Sequence, residues 1–497
     1  MQEKVAVEVY PMIIGDQLVA ESSGQVIDVI NPATEEIIAA VPIASPAEID
    51  LAVSTANAAF KKWRDTPAAD RAAAMLKLVQ AVRENADDLA RTLTMEQGKP
   101  LWQSKGEIGG FCAVIEFYAQ EARRIQGLVL QSDNRDRFVY VLRHPMGVVA
   151  AIPPWNDPLH LLSRMIGPAF AAGCTVVAKP SSDTPLATIK VAKAALAAGF
   201  PAGVFNVITG PGGITGEALV RHPLVRKVSL TGSIQSGRQV MRIAAEDIKR
   251  LTLELGGQCP CIVWNDADLL KASEALTFQA FRGAGQVCNR VNRVYVHQDC
   301  YDELVERVSR LAARVVVGEG FKEGVDIGPL VNARQLKWVH SQVQDAASKG
   351  ARVACGGQQI GERGFFYAPT VLADCDQTMD VMHEETFGPV LAFMKIGGDL
   401  DQAFDLANDT PYGLSSYFFS RDARNCYLAA QRLEAGSIWI NDIHGSFIQA
   451  PYGGMKASGI GREQGSIAVE DYLEWKTVYQ EMSYEPRGTR PCVHPGE

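Results

Sequence analysis

The chain has 497 residues, 47% of them hydrophobic, enough to bury a large core and to fill about two to four domains. Its 48 Lys and Arg against 57 Asp and Glu give a formal charge of -9, which argues against nonspecific binding to nucleic acid. Ten cysteines show neither a dense disulfide repeat nor the paired CxxC spacing of a metal site, so buried free thiols are expected and no metal is. The start, Met1-Gln2-Glu3-Lys4, lacks a basic segment followed by an apolar secretory core. No charge-free run reaches the length of a membrane span, so a soluble, cytoplasmic protein without a membrane partner is expected.

Up to about residue 45 the chain reads as irregular or short-stranded, and Ala-rich helical patterns follow at 46–60 and 67–96. On these helices Asp50 and Asp65 suit solvent faces, while Leu76, Val79 and Leu89 are expected to point inward. The apolar runs within 127–143 suit strands but belong to neither sheet that follows. From 148 onward short apolar strands at 148–152, 175–178, 204–208 and 227–230 alternate with helices at 163–171, 185–198, 215–220 and 234–246. That alternation calls for a largely parallel sheet covered by helices, with a nucleotide crevice beyond its strand ends.

A second α/β unit begins near Pro260, with strands at 261–264 and 293–297 and helices at 268–282 and 299–314. Apolar segments at 388–396, 415–419 and 437–440 extend its sheet, and helical patterning recurs at 404–408 and 423–433. The 470–480 stretch reads as a terminal extended segment. Left exposed, it and 127–143 would invite unwanted strand pairing, which suggests burial in a subunit interface.

Cys288, in Gly285-Gln286-Val287-Cys288, is the candidate nucleophile. An ordinary thiol is mostly protonated near neutrality, so one that attacks a carbonyl needs a tuned environment. Glu254, in Leu253-Glu254-Leu255-Gly256-Gly257, ends an apolar strand, where desolvation would let it take up and release a proton near neutral pH. Its plainer reading is a charge that caps a helix or meets an Arg. Asn156, after Pro154-Trp155, on its own suits a turn. Lys179 follows the apolar 176–178 strand and can offer its ammonium to ribose hydroxyls or phosphate. The glycine-rich 210–216 stretch departs from the GxGxxG fingerprint and on its own reads as a loop.

Several of these stretches converge. Ile152-Pro153-Pro154-Trp155-Asn156, Lys179-Pro180-Ser181, Thr231-Gly232-Ser233, Glu254-Leu255-Gly256-Gly257, Gly285-Gln286-Val287-Cys288, Glu385-Thr386-Phe387-Gly388-Pro389 and Pro451-Tyr452-Gly453-Gly454-Met455-Lys456 together resemble the aldehyde dehydrogenase superfamily in order and spread. The resemblance implies an α/β fold with a Rossmann-like cofactor domain over 1–126 and 144–254 and an α/β catalytic domain over 255–465. It adds a small β oligomerisation element over 127–143 and 466–497, and with it a homodimer or homotetramer.

The same resemblance assigns Cys288 to form a thiohemiacetal and then a thioester, Glu254 to direct the hydrolytic water, and Asn156 with the Cys288 backbone N–H to hold the oxyanion. It assigns NAD or NADP, in one or both forms, to Ile152, Pro154, Trp155, Lys179, Ser182, Gly213, Thr231, Gly232, Ser233, Leu255, Gly256, Glu385 and Phe387. Ser182 stands where NAD-preferring relatives often carry an acid, which relieves repulsion against a 2'-phosphate, although Asp183 follows it.

Arg164 and Arg282 are similar in position to the arginines that bind the distal carboxylate in the succinate-semialdehyde dehydrogenase branch. His444, Ser446 and Gln449 add polar groups from a late loop. A small anionic aldehyde is therefore expected, succinate semialdehyde first, with lactaldehyde and 3-sulfolactaldehyde as competitors. Acyl transfer to CoA and a non-catalytic nucleotide-binding or structural role stay open as alternatives.

Overall fold

Period-two alternation of apolar residues builds the first sheet and explains its two covered faces. In the computed structural model, which describes residues 7–20, 24–443 and 447–483, Val149, Ala151, Val176 and Ala178 join one core with Leu162 and Ile166. Their neighbours Val148, Ala150, Val177 and Val228 join another with Ile49, Val53 and Ile243. The strand order across this sheet is Gly459–Ile460, Arg250–Glu254, Val225–Thr231, Val148–Ile152, Thr175–Ala178, Phe205–Val207, Met12–Ile14, Gln17–Val19. The strands from Arg250–Glu254 to Phe205–Val207 run parallel, and the flanking ones are antiparallel. The chain therefore leaves the parallel strands along one edge, where Pro154, Lys179, Ser233 and Leu255 follow them.

The second sheet runs Arg352–Cys355, Thr370–Ala373, Val390–Ile396, Val291–His297, Cys259–Val263, Ser415–Phe419, Ser437–Ile440 and is parallel apart from its first strand. A third, antiparallel sheet pairs Arg137–Pro145 with Leu128–Leu130 on one side and Leu473–Glu481 on the other. It unites the two segments that suited neither large sheet. Among the described residues no helix is long and apolar enough to cross a membrane.

Three expectations need correction. Leu76 does not point inward: it is 48% exposed, and the buried stripe of its helix is Met75, Leu78, Val79 and Val82. The 67–96 pattern divides at Asn85 into helices Ala68–Glu84 and Ala86–Gln97. The helix expected over 163–171 is Pro158–Ala172, started by a proline in its first turn. Two long helices, Leu101–Glu121 and Ala333–Ser348, were not anticipated. The first contains Gly106, Gly109 and Gly110, which weaken any reading of helix propensity.

One turn governs where the candidate nucleophile lies. Gly283, Ala284 and Gly285 have φ of 60°, 57° and 69°, which swings the chain out of helix Leu269–Phe281 and into Cys288. A Cβ on Gly285 would lie 2.1 Å from the Gly388 carbonyl oxygen. Gly285→Ala is expected to cost about 1–3 kcal/mol and to lower the denaturation midpoint in a urea titration.

Candidate active site

Cys288 lies in the short segment between that turn and strand Val291–His297, with its sulfur 3.8 Å from the Tyr452 hydroxyl. Burial pushes its thiol up to about 12; the Tyr452 hydrogen bond and the Arg164 charge pull the other way, while Glu254 adds to the rise. Gly257 permits the tight backbone approach here, since a Cβ on it would meet the Cys288 carbonyl oxygen at 2.5 Å.

Glu254 ends strand Arg250–Glu254 and is buried, with no hydrogen-bond partner for Oε1 among the described residues. Desolvation and the neighbouring Glu463 carboxylate raise its pKa well above the ordinary 4.5, against the opposing charges of Arg164 and Arg462. Burial likewise lifts Glu463 to about 7, although Arg164 and Lys227 oppose it. Arg164 Nη1 lies 3.8 Å from Glu463 Oε2, its Nη2 is 2.9 Å from His160 Nε2, and its guanidinium stands 5.2 Å from the centre of the Tyr452 ring. Burial and this guanidinium push His160 down to about 3, so the imidazole is neutral and accepts from Arg164.

Asn156 is held through its backbone. Lys99 Nζ donates to the Asn156 carbonyl oxygen at 2.7 Å, to Asp157 Oδ1 at 2.7 Å and to Glu107 Oε2 at 2.6 Å. Glu107 Oε1 in turn accepts from the Leu159 and His160 N–H groups, which fixes the first turn of helix Pro158–Ala172. Burial works against the Lys99 ammonium, but the carboxylates of Asp157 and Glu107 prevail and raise its pKa.

Two cavities share Asn156. One, of about 300 Å³, is lined by Asn156, Asp157, His160, Arg282 and Val287, with Trp102 and Phe278 among its apolar residues. The other, of about 250 Å³, is lined by Pro154, Trp155, Asn156, Thr231, Gly232, Ser233, Leu255, Gly256, Cys288, Glu385 and Phe387, with Arg334, Gln335 and Trp338. Nine of the sequence-derived cofactor residues thus surround the second cavity. Trp155 and Phe387 meet edge to face at 5.2 Å, and Gly257 N–H donates to Glu385 Oε1 at 2.9 Å. Burial raises Glu385 to about 7.

This second cavity suits a dinucleotide. Thr231 Oγ1 is buried without a partner among the described residues, and Ser233 caps helix Ile234–Ala245, whose first N–H groups favour an anion. Away from the cavity lining, Lys179 and Ser182 both donate to the Gly210 carbonyl oxygen, at 3.1 and 3.2 Å. Burial pushes the Lys179 ammonium down to about 8. Gly213 is exposed in the single π-turn Gly212–Gly216, and Ile152 ends its strand against the core.

Arg282 lines the first cavity, with its guanidinium bonded to Gln279 Oε1 at 2.9 Å and Asn289 Oδ1 at 3.0 Å. Arg164 is not among that cavity's lining residues; it meets Glu463, His160 and Tyr452 instead. His444 and Ser446 lie outside the described residues. Sequence reasoning missed Lys99, Glu107, Arg462, Glu463 and the hydroxyl of Tyr452. The signal for Arg462-Glu463 was a charged pair just after the 451–456 motif, and for Lys99 a cation between Gly98 and Pro100.

A parallel sheet whose strand ends open onto a cavity with a half-buried thiol and a nearby desolvated carboxylate suits covalent chemistry on a carbonyl beside a bound nucleotide. The chain belongs to the aldehyde dehydrogenase family, whose model matches residues 18–478. It is 43% identical to the NADP(+) succinate-semialdehyde dehydrogenase GabD of Escherichia coli K12, over 93% of this chain and 96% of that one. It is 44% identical to a glutarate-semialdehyde dehydrogenase of Pseudomonas putida KT2440, again over 93% and 96%. A solved E. coli NADP-dependent enzyme superposes with a TM-score of 0.93 at 42% identity, covering 95% of this chain and 98% of that one. The protein is therefore an NAD(P)-dependent aldehyde dehydrogenase that works through a catalytic cysteine on a small aldehyde.

The Lys99 contact is testable. Lys99→Met is expected to lower kcat about 10- to 100-fold while changing the aldehyde KM little, because it frees the backbone that aims Asn156. Steady-state kinetics at saturating cofactor reads this split.

Proposed function

We propose that this enzyme oxidises a short anionic aldehyde to the free acid, with succinate semialdehyde the leading substrate. The observation that carries this reading is the Arg282 guanidinium on the wall of the cavity that Asn156 also lines. An aldehyde held there has its carbonyl beside Asn156, while a carboxylate or sulfonate at its other end gains directed guanidinium donors. Asp157 on the same wall is paired with Lys99, which leaves the Arg282 guanidinium to meet the anionic end.

In the mechanism, Cys288 sulfur attacks the aldehyde carbon, and the Asn156 amide and the Cys288 backbone N–H share the oxyanion. The nicotinamide dinucleotide supplies the hydride acceptor when bound, in the cavity lined by Glu385, Phe387 and Thr231. Glu254 removes a proton from the water that opens the Cys288 thioester, which favours free acid over transfer to CoA. With its carboxyl raised above the usual range, Glu254 is poised to return that proton. Use of both NAD and NADP is supported by Ser182, and by Asp183 being engaged with Ser181 and Asn332. Exposed Val129, Phe138, Trp475 and Tyr479 on the third sheet support a homodimer or homotetramer built through it.

Cys288→Ala should abolish aldehyde-dependent formation of reduced cofactor; turnover at the original rate would reject Cys288 as nucleophile. Arg282→Ala should lower kcat/KM for succinate semialdehyde about 10- to 100-fold and for a neutral aldehyde much less. Equal losses on both would assign Arg282 a structural part instead. The pH profile provides a third check. A base with a raised pKa loses activity as pH falls through that raised value, so the acid limb of kcat should lie well above 4.5.

A further inference from the structure

Tyr452 presents the one side-chain group within hydrogen-bond distance of the Cys288 sulfur among the described contacts, at 3.8 Å. Its backbone is fixed: Tyr452 N–H donates to the Glu463 carbonyl, and Glu463 N–H donates back, both at 2.7 Å. Its ring is buried and lies under the Arg164 guanidinium at 5.2 Å from the ring centre. The hydroxyl therefore cannot swing away without breaking that bridge or leaving that cation. While Cys288 is a thiol either partner can donate; once it is a thiolate, only the phenol has a proton to give. Burial keeps the Tyr452 phenol protonated far above neutrality, so the donor persists wherever the thiolate forms.

We propose that Tyr452 is a catalytic residue whose phenol O–H donates to the Cys288 thiolate, stabilising the nucleophile against its burial. This rests on Cys288 being the nucleophile and deepens that reading. The contact offsets part of the cost of ionising sulfur away from water, a cost Glu254 increases. After attack, sulfur loses its charge to the new carbon–sulfur bond, so the bond weakens as the thiohemiacetal forms. Tyr452 therefore raises the fraction of reactive sulfur more than it holds the product state.

The test removes one oxygen atom. In the full-length enzyme, Tyr452→Phe keeps the ring under Arg164, and alkylation of Cys288 by iodoacetamide is followed across pH at the Cys288 peptide by mass spectrometry. Following the peptide separates Cys288 from the partly exposed Cys355 and Cys426. The variant should alkylate about 3- to 10-fold more slowly at each pH below the wild-type midpoint, with its profile displaced to higher pH. Its kcat/KM for aldehyde should fall by a similar factor, with the cofactor KM unchanged. Superimposable alkylation profiles would overturn the proposal whatever happens to turnover. A displaced profile with unaltered kcat/KM would overturn Tyr452 as a catalytic residue, while loss of turnover in Cys288→Ala would still keep Cys288 as the nucleophile.

Discussion

Burial of ionisable groups around Arg164 is the constraint on which the site depends. The carboxyl groups of Glu254 and Glu463 are buried and the Cys288 thiol is half-buried, and desolvation is the largest influence on each. Arg164 opposes the shift in all three. Removing one charge from such a set leaves the others uncompensated, which makes the cluster costly to alter piecemeal. The same desolvation suits the chemistry: a carboxyl near its neutral form can exchange protons, and dipoles aimed at an oxyanion act strongly in a dry site.

The scaffold holds these groups from different directions. Glu254 comes from the end of a first-sheet strand, Cys288 from the strained turn before a second-sheet strand, and Tyr452 and Glu463 from a bridge near the end of the chain. Asn156 stands at the start of a buried helix whose first turn is tied to Lys99 through Glu107. Since the reacting groups sit on separate elements, their relative placement is a tertiary property. Packing between the sheets, rather than any local motif, brings Cys288, Glu254 and Asn156 together.

Much of this was legible before the structure. The parallel strands announced themselves as short apolar runs, and 415–419 and 437–440 fell where strands were expected for the same reason. Cys288 and Glu254 stood out as a thiol and a strand-end carboxylate, whereas Asn156 on its own suited a turn and was singled out only through the family motif that contains it. Helix Leu101–Glu121 was not, because its glycines mask a helix that tertiary packing stabilises. Leu76 misled because apolar identity alone does not set the phase of a helix. The local signals at Lys99 and Glu463 were too weak for a different reason: their importance comes from partners far away in sequence, at Asn156 and Arg164. The Arg164 contacts show the same limit, since a position that suggests a substrate cation is already engaged by protein groups.

The central claim is that an acyl group rests on Cys288 until Glu254 directs water to release it. Mixing Glu254→Gln with succinate semialdehyde and NADP, then digesting and weighing the peptides, tests this most directly. The account predicts one burst of reduced cofactor and a mass gain equal to the acyl group on the Cys288 peptide alone. Continued release of free acid at the wild-type rate, with an unmodified Cys288 peptide, would contradict it.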